Sequence, residues 1–158
     1  MSEIPRGYAI LINNLFENEG DKERLGASID VKKLEAIFGR LNFTVEVGNN
    51  LSRNKLFEFL RKIAADPKLN SHNALIMVLM SHGKSQLFQC SDNNHVEFNE
   101  IVNIFSDANC TYLIDKPKII IFNCCRVPYF ESKFKNFSKP HKSTYWPKQT
   151  NRFRSDLN

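Results

Sequence analysis

Three continuous runs of mainly apolar residues lie along the chain, and each predicts a buried β-strand. They are residues 8–12, 74–80 and 118–123. Unbroken apolar runs of this length are typical of parallel strands that are covered on both faces. A fourth segment, residues 42–47, alternates between apolar and polar side chains, which predicts a strand with one polar face.

Between these strands, apolar residues recur every three or four positions, which predicts amphipathic helices. Three helices are predicted in this way: residues 28–41, a segment that begins after Ser52 and ends at Asp66-Pro67, and residues 97–106. In the first helix the apolar positions are spaced three, four and three residues apart, and charged residues lie between them.

Strands and helices therefore alternate, which predicts an α/β fold. We expect an open, mostly parallel sheet with helices on both faces, in a three-layer α/β/α arrangement. A small hairpin is predicted in addition, between residues 85–90 and 95–96. The periodicity is lost after residue 126, so we interpret residues 1–126 as the folded domain and residues 127–158 as an irregular extension.

The composition fits one folded domain. The chain has 158 residues, of which 42% are apolar and 25% are charged, values that exclude extensive disorder. The longest apolar run has seven residues, whereas a membrane span needs about 20. The start of the chain lacks the basic and apolar segments of a secretory signal. We therefore expect a cytoplasmic protein with no membrane partner.

The cysteines predict free thiols rather than a disulfide framework or a metal site. Two of the four are adjacent, a spacing that does not suit a disulfide, and no C-x-x-C pair occurs. We expect no metal and no cofactor. The four are Cys90, Cys110, Cys124 and Cys125.

The net charge of +5 belongs to residues 127–158, which carry seven basic and two acidic residues. Aromatic residues lie between these basic residues, a mixture that can bind nucleic acid by phosphate contacts and base stacking. No nucleic-acid-binding motif accompanies the charge. We favour a solvated extension. A nucleic-acid-binding module is the least favoured of the three functional hypotheses considered for this sequence.

Candidate chemistry follows three of the predicted strands. Arg24 comes after the first strand, His82 and Gly83 follow residues 74–80, and Cys125 follows residues 118–123. Because open parallel sheets bind ligands at the carboxyl ends of their strands, these residues are expected to share one rim.

A thiol and an imidazole on one rim form a candidate nucleophile and base. The imidazole can deprotonate the thiol and later protonate a leaving amine. The backbone N–H groups of Gly83 and Cys125 can stabilise an oxyanion, and Arg24 can pair with an acidic substrate side chain.

Each residue also has a structural interpretation when it is taken alone. Cys125 would be a buried small hydrophobe, His82 a structural histidine and Arg24 a solvated surface charge. Cys124 is expected to point to the core. The remaining histidines are expected at the surface: His72, His95 and His141.

The sequence resembles the large subunit of the caspase family. The matching segments are residues 6–14, the Arg24-Leu25-Gly26 motif with Asp30, residues 79–83 ending in Ser-His-Gly, and residues 116–126. The last of these leads into a pentapeptide similar to the family's nucleophile signature, with a histidine upstream.

The resemblance implies a cysteine endopeptidase, linked to apoptosis, that cleaves after aspartate. Cys125 would be the nucleophile and His82 the general acid and base. Gly83 and Cys125 would supply the oxyanion hole through their backbone N–H groups, and Arg24 with the Asn123 carboxamide would line the pocket for the substrate's aspartate.

The sequence departs from the family's pattern in three places. Asn123 stands where the family has glutamine, and Val127 stands where it has glycine. The last 32 residues show no segment like the family's small subunit. Residues 119–122 would then lie on an open sheet edge, which either the extension or a partner chain, such as a caspase, would cover.

Two functional hypotheses follow. The first is an active or conditionally active peptidase that is completed by a homodimer or heterodimer partner. The second is a catalytically weak or inactive homologue, a pseudocaspase, that binds an active caspase and regulates it. The intact dyad favours the first hypothesis, and Val127 with the missing small subunit favours the second.

Overall fold

A computed structural model of the protein describes residues 5–126. The predictions for residues 127–158, including those for Val127, His141 and the basic extension, lie outside the described residues. In chain order the elements are β1 (Gly7–Asn13), α1 (Ala27–Arg40), β2 (Phe43–Asn49), α2 (Arg53–Ala64), β3 (Leu75–Met80), β4 (Gly83–Lys84), β5 (Leu87–Gln89), β6 (His95–Glu97), α3 (Phe98–Ile104) and β7 (Lys118–Asn123).

Four strands form a parallel sheet in the order β2-β1-β3-β7. Leu11 on β1 lies opposite Val47 on one side and Val78 on the other, and Met80 at the end of β3 lies opposite Asn123. The carboxyl ends of the strands therefore meet at one rim. The predicted α/β fold with a mostly parallel sheet is confirmed.

Helices cover both faces of this sheet. On one face, Val31 and Phe38 of α1 pack against Ala9 and Leu11 of β1. On the other face, α2 and α3 join the larger core around Ile10. Alternate residues of β1 point to opposite faces, so both faces of that strand must be apolar, which explains its unbroken run.

Leu79 on β3 tests this core, because its side chain is fully buried at 0% exposure. Leu79→Ala is expected to lower the free energy of unfolding by about 2–5 kcal/mol, from lost burial and the cavity left behind. Leu25→Ala is the control, since Leu25 is 87% exposed. Urea unfolding measures both variants, and equal losses would contradict the assigned core.

The last strand, β7, differs from the expectation that apolar runs are covered on both faces. Ile119 and Ile121 are 51% and 47% exposed. Among residues 5–126, β7 pairs with β3 alone and forms one edge of the sheet. Helix α1 packs mainly over β1 and β2, so the described part of the chain covers these two isoleucines only about halfway.

A second, antiparallel sheet contains β4, β5 and β6. The predicted hairpin is its β5–β6 pair. Asp92 in the turn between them accepts hydrogen bonds from the backbone N–H groups of Arg53 and Asn94 at 3.2 Å and 3.3 Å. The hairpin is thereby tied to the first turn of α2.

His72 is not at the surface, so that prediction was wrong. Its side chain is buried, with Nδ1 donating to the Lys68 carbonyl and Nε2 accepting from the Thr44 hydroxyl, both at 2.9 Å. Both ring nitrogens are used within the fold, which makes His72 a structural residue. Searched over residues 5–126, the helices include none with the length and apolar character of a membrane span.

Candidate active site

The loops that follow β1, β3 and β7 are joined by backbone hydrogen bonds at the carboxyl rim of the sheet. Asn14 N–H donates to the Met80 carbonyl at 3.0 Å, and Ser81 N–H donates to the Asn123 carbonyl at 3.4 Å. These bonds place the segments that carry Arg24, His82 and Cys125 side by side, as strand order predicts.

The His82 ring is oriented by a backbone carbonyl. Its Nε2 bonds the carbonyl oxygen of Lys22, and its ring lies 4.9 Å from the Phe16 ring, measured between centroids. Because a carbonyl oxygen only accepts, Nε2 must carry the proton. In the neutral ring Nδ1 is then the atom available to take up a proton.

The loop between β1 and α1 brings the Lys22 carbonyl to this ring through left-handed backbone conformations. Phe16, Asn18 and Gly20 have φ values of 55°, 65° and 61°. Such values are uncommon for a bulky residue such as phenylalanine, and Phe16 is buried at 4% exposure against His82. Neither the Phe16 contact nor the Lys22 carbonyl was predicted, and the only local signal was the Asn and Gly content of the loop.

The two adjacent cysteines have different environments. Cys125 is exposed, so the buried-hydrophobe interpretation was wrong, whereas Cys124 is half-buried and packs against the core. Burial raises the pKa of the Cys124 thiol, and the charges of Arg126 and Arg24 oppose that shift. Among the described residues, no hydrogen bond joins the His82 ring to Cys125.

This difference predicts the order in which the thiols react. Iodoacetamide at neutral pH is expected to modify Cys125 first, because the thiolate is the reactive form and the raised pKa of Cys124 keeps it protonated. Cys90 stays unmodified, since burial raises its pKa to about 12. Peptide mass mapping measures the order, a urea-unfolded sample is the control, and simultaneous modification of both adjacent thiols would contradict it.

Gly83 lies directly against the loop of Cys124. A Cβ at position 83 would lie 2.6 Å from the Leu87 carbonyl oxygen and 2.9 Å from Cys124 Sγ. Real Cβ atoms do not approach backbone this closely, so the position accommodates only glycine. The absent side chain is what lets the loop after β3 approach the loop after β7.

Gly83→Ala is therefore expected to lower the free energy of unfolding by about 1–3 kcal/mol, because the added methyl group overpacks a backbone contact. Gly39→Ala is a matched control: a Cβ there meets nothing within 4 Å, and alanine should stabilise helix α1 by roughly 0.5–1 kcal/mol. Thermal unfolding measures both. Equal stabilisation by the two substitutions would contradict the close approach.

Arg24 is half-buried and joins segments of the rim by hydrogen bonds. The interpretation of Arg24 as a solvated surface charge was therefore wrong. Its Nη1 donates to Asn13 Oδ1 and the Asn14 carbonyl, both at 2.8 Å, and to the Met80 carbonyl at 3.1 Å. Burial lowers the pKa of this guanidinium, and the Asp30 carboxylate opposes the shift. Within residues 5–126 these bonds all use Nη1.

Two asparagines at the carboxyl end of β1, to which the sequence pattern assigned no role, join segments of the rim by hydrogen bonds. Asn14 is fully buried, donates to the Gln89 carbonyl at 3.0 Å and accepts from Leu51 N–H at 3.0 Å. Asn13 is 1% exposed and holds Arg24. Their position at a strand end on the ligand-binding rim was the available signal.

Asn123 lies at the end of β7 with an exposed side chain. It lines an apolar cavity of about 510 Å³ with Asp30, Met80 and Ile121. Among the described residues, its carboxamide makes no hydrogen bond with Arg24. The structure thus brings Asn123 to the rim but not into contact with the arginine with which the resemblance paired it.

Comparison with known proteins agrees with this fold. The caspase domain family model matches residues 6–156. Caspase Dronc of Drosophila melanogaster is 30% identical over 129 residues, which are 79% of this chain and 29% of the relative. Caspase-1 of Equus caballus is 34% identical over 122 residues, which are 74% of this chain and 30% of the relative.

A solved structure gives the same result. The crystal structure of the Drosophila initiator caspase Dronc superimposes with a TM-score of 0.72 at 29% identity, over 77% of this chain and 49% of that chain. The chain therefore belongs to the caspase family of cysteine peptidases. It spans about three-tenths of the length of the curated relatives that it matches.

Proposed function

We propose that this chain is a caspase-like cysteine endopeptidase domain that cleaves after aspartate and acts in apoptosis or its regulation. The observation that carries the proposal is the presence of an exposed Cys125 on the same rim as a His82 ring anchored by the Lys22 carbonyl. A buried thiol or a freely rotating ring at these positions would not suit acyl transfer.

In the proposed reaction, Cys125 Sγ attacks the carbonyl carbon of the peptide bond after aspartate. His82 takes the thiol proton at Nδ1 and delivers it to the leaving amine, which forms a thioester and releases the first product. Water then attacks the thioester, and His82 accepts its proton and returns it to the sulfur. The N–H groups of Gly83 and Cys125 would stabilise both oxyanions.

Selectivity for aspartate follows from the half-buried guanidinium. Arg24 uses Nη1 for the rim, so Nη2 and Nε are the donors proposed for a substrate carboxylate. A planar guanidinium favours such two-point pairing. An uncharged substrate side chain would leave the cation without this partner in a partly desolvated site. Asn123 lies at the same rim and is proposed as the neighbouring pocket residue.

Labelling tests the proposal. The full chain is treated with an aspartyl peptide that carries a thiol-trapping group, alone and with an added caspase, and adducts are located by mass mapping. We expect an adduct on Cys125 that is lost in Cys125→Ala and kept in Cys124→Ala. Complete absence of a Cys125 adduct under both conditions would remove the peptidase proposal.

The exposed edge of the sheet favours a second function, that of a regulator that binds an active caspase. Ile119 and Ile121 expose apolar surface on the edge strand β7, and exposed apolar strands at a sheet edge are prone to pair with another chain. Co-purification with a caspase that survives Cys125→Ala and is lost in Ile119→Lys/Ile121→Lys would support this function. A homodimer formed through the same edge is the alternative that size-exclusion chromatography separates.

A further inference from the structure

A cavity separate from the cysteine lies between the sheet and α1. Its volume is about 360 Å³, within the usual range for small-molecule pockets. It opens at the carboxyl ends of β1 and β2, and Leu15, Val31 and Val47 give it apolar walls. Cys125 and His82 are not among the residues that line it.

Asn13 is one of the residues that line this cavity, and its side chain carries a buried hydrogen-bond donor. Its side chain lies on the α1 face of β1, because Ala9 and Leu11, two and four residues earlier, pack there. Its Oδ1 accepts from Arg24 Nη1 at 2.8 Å. An arginine can only donate, so this bond fixes the orientation of the amide.

The amide nitrogen Nδ2 is left without a hydrogen-bond partner among residues 5–126 although Asn13 is 1% exposed. A buried donor without an acceptor is destabilising, and such groups are rare in native folds. The fixed amide of this cavity-lining residue therefore keeps a buried donor that is unused.

Charge and polarity at the mouth define what could satisfy this donor. Ser28 and Lys32, one turn apart on α1, line the same cavity. Glu35 also lines it, two turns along the helix from Ser28, so an anion is favoured at the Ser28 end. The N-terminus of the 14-residue helix α1 adds partial positive charge at that end.

We propose that this cavity binds a small organic carboxylate with an apolar body. The carboxylate accepts from Asn13 Nδ2 and pairs with Lys32, and the apolar body packs between Val31 and Val47. This inference does not rest on peptidase activity. The same amide that would bind the carboxylate also accepts a hydrogen bond from Arg24. Binding in the cavity would therefore affect the position of Arg24 at the rim.

An NMR titration of the full ¹⁵N-labelled chain with hexanoate tests the site. We expect a saturable shift of the Asn13 side-chain amide resonances. Hexanamide, which has the same apolar body without the charge, should bind about fivefold more weakly or worse. Lys32→Ala should weaken hexanoate binding similarly, and Lys33→Ala, on the same helix but outside this cavity, should not.

Three outcomes would overturn the proposal: no saturable shift at Asn13, equal binding of hexanoate and hexanamide, or equal weakening by the Lys32 and Lys33 substitutions. Both lysines are exposed, so neither variant should unfold, and the amide spectrum checks this directly. Labelling of Cys125 is measured separately, so failure of this site and failure of the proposed peptidase function are distinguishable.

Discussion

His82→Ala is expected to slow labelling of Cys125 by the aspartyl probe about 10²–10⁴-fold at neutral pH, the usual contribution of a general base. An ordinary thiol is ionised only to a few per cent at this pH. The rate of the variant should therefore climb roughly tenfold per pH unit as the thiolate forms. The measurement is the second-order rate constant for labelling between pH 6 and pH 9.

The control for this result is His95→Ala, which replaces a half-buried histidine on β6, outside the proposed dyad. Its labelling rate should match that of the unchanged chain at every pH. A His82→Ala variant that labels as fast as the unchanged chain at neutral pH would show that the ring does not activate the thiol. The Lys22 carbonyl contact would then be structural only.

Arg24→Ala is expected to remove selectivity for aspartate. The ratio of labelling rates for an aspartyl probe over its asparaginyl isostere should fall by about 10²-fold or more, because a desolvated carboxylate loses its cation. The substitution also leaves three acceptors on the rim without Nη1, so unfolding free energy should fall by about 1–3 kcal/mol. Paired probe kinetics and urea unfolding measure the two effects.

Arg24→Lys separates charge from geometry, since lysine keeps the charge but cannot pair at two points. It should recover part of the selectivity and little of the rim's stability. Arg40→Ala, in the last turn of α1, is the matched control and should change neither. Unchanged selectivity in a folded Arg24→Ala variant would rule out the arginine as the aspartate-binding group.

The order of elements was predictable because each rests on short-range periodicity. The apolar stripe of residues 28–41 and the runs that became β1 and β3 report which faces are buried. The rim position of Arg24, His82 and Cys125 then follows from parallel strand order alone. Their roles remain proposals that the labelling experiments test.

What the sequence did not reveal depends on contacts between residues that are far apart in the chain. His72 was expected at the surface because nothing in its local pattern reports the Thr44 hydroxyl 28 residues away. The exposure of Ile119 likewise depends on which side of the sheet α1 covers, a property of packing rather than of β7 itself. An apolar run predicts a strand that is suited to burial, but it does not identify the element that packs against that strand.

The Lys22 contact has a consequence for how such proteins diverge. The group that aligns His82 belongs to the main chain, so the amino acid at position 22 can drift without disturbing the ring. Insertions or deletions in the loop between β1 and α1 would move that oxygen and are the changes expected to be damaging. Loop length, rather than the side chain at position 22, is what divergence must preserve for this contact.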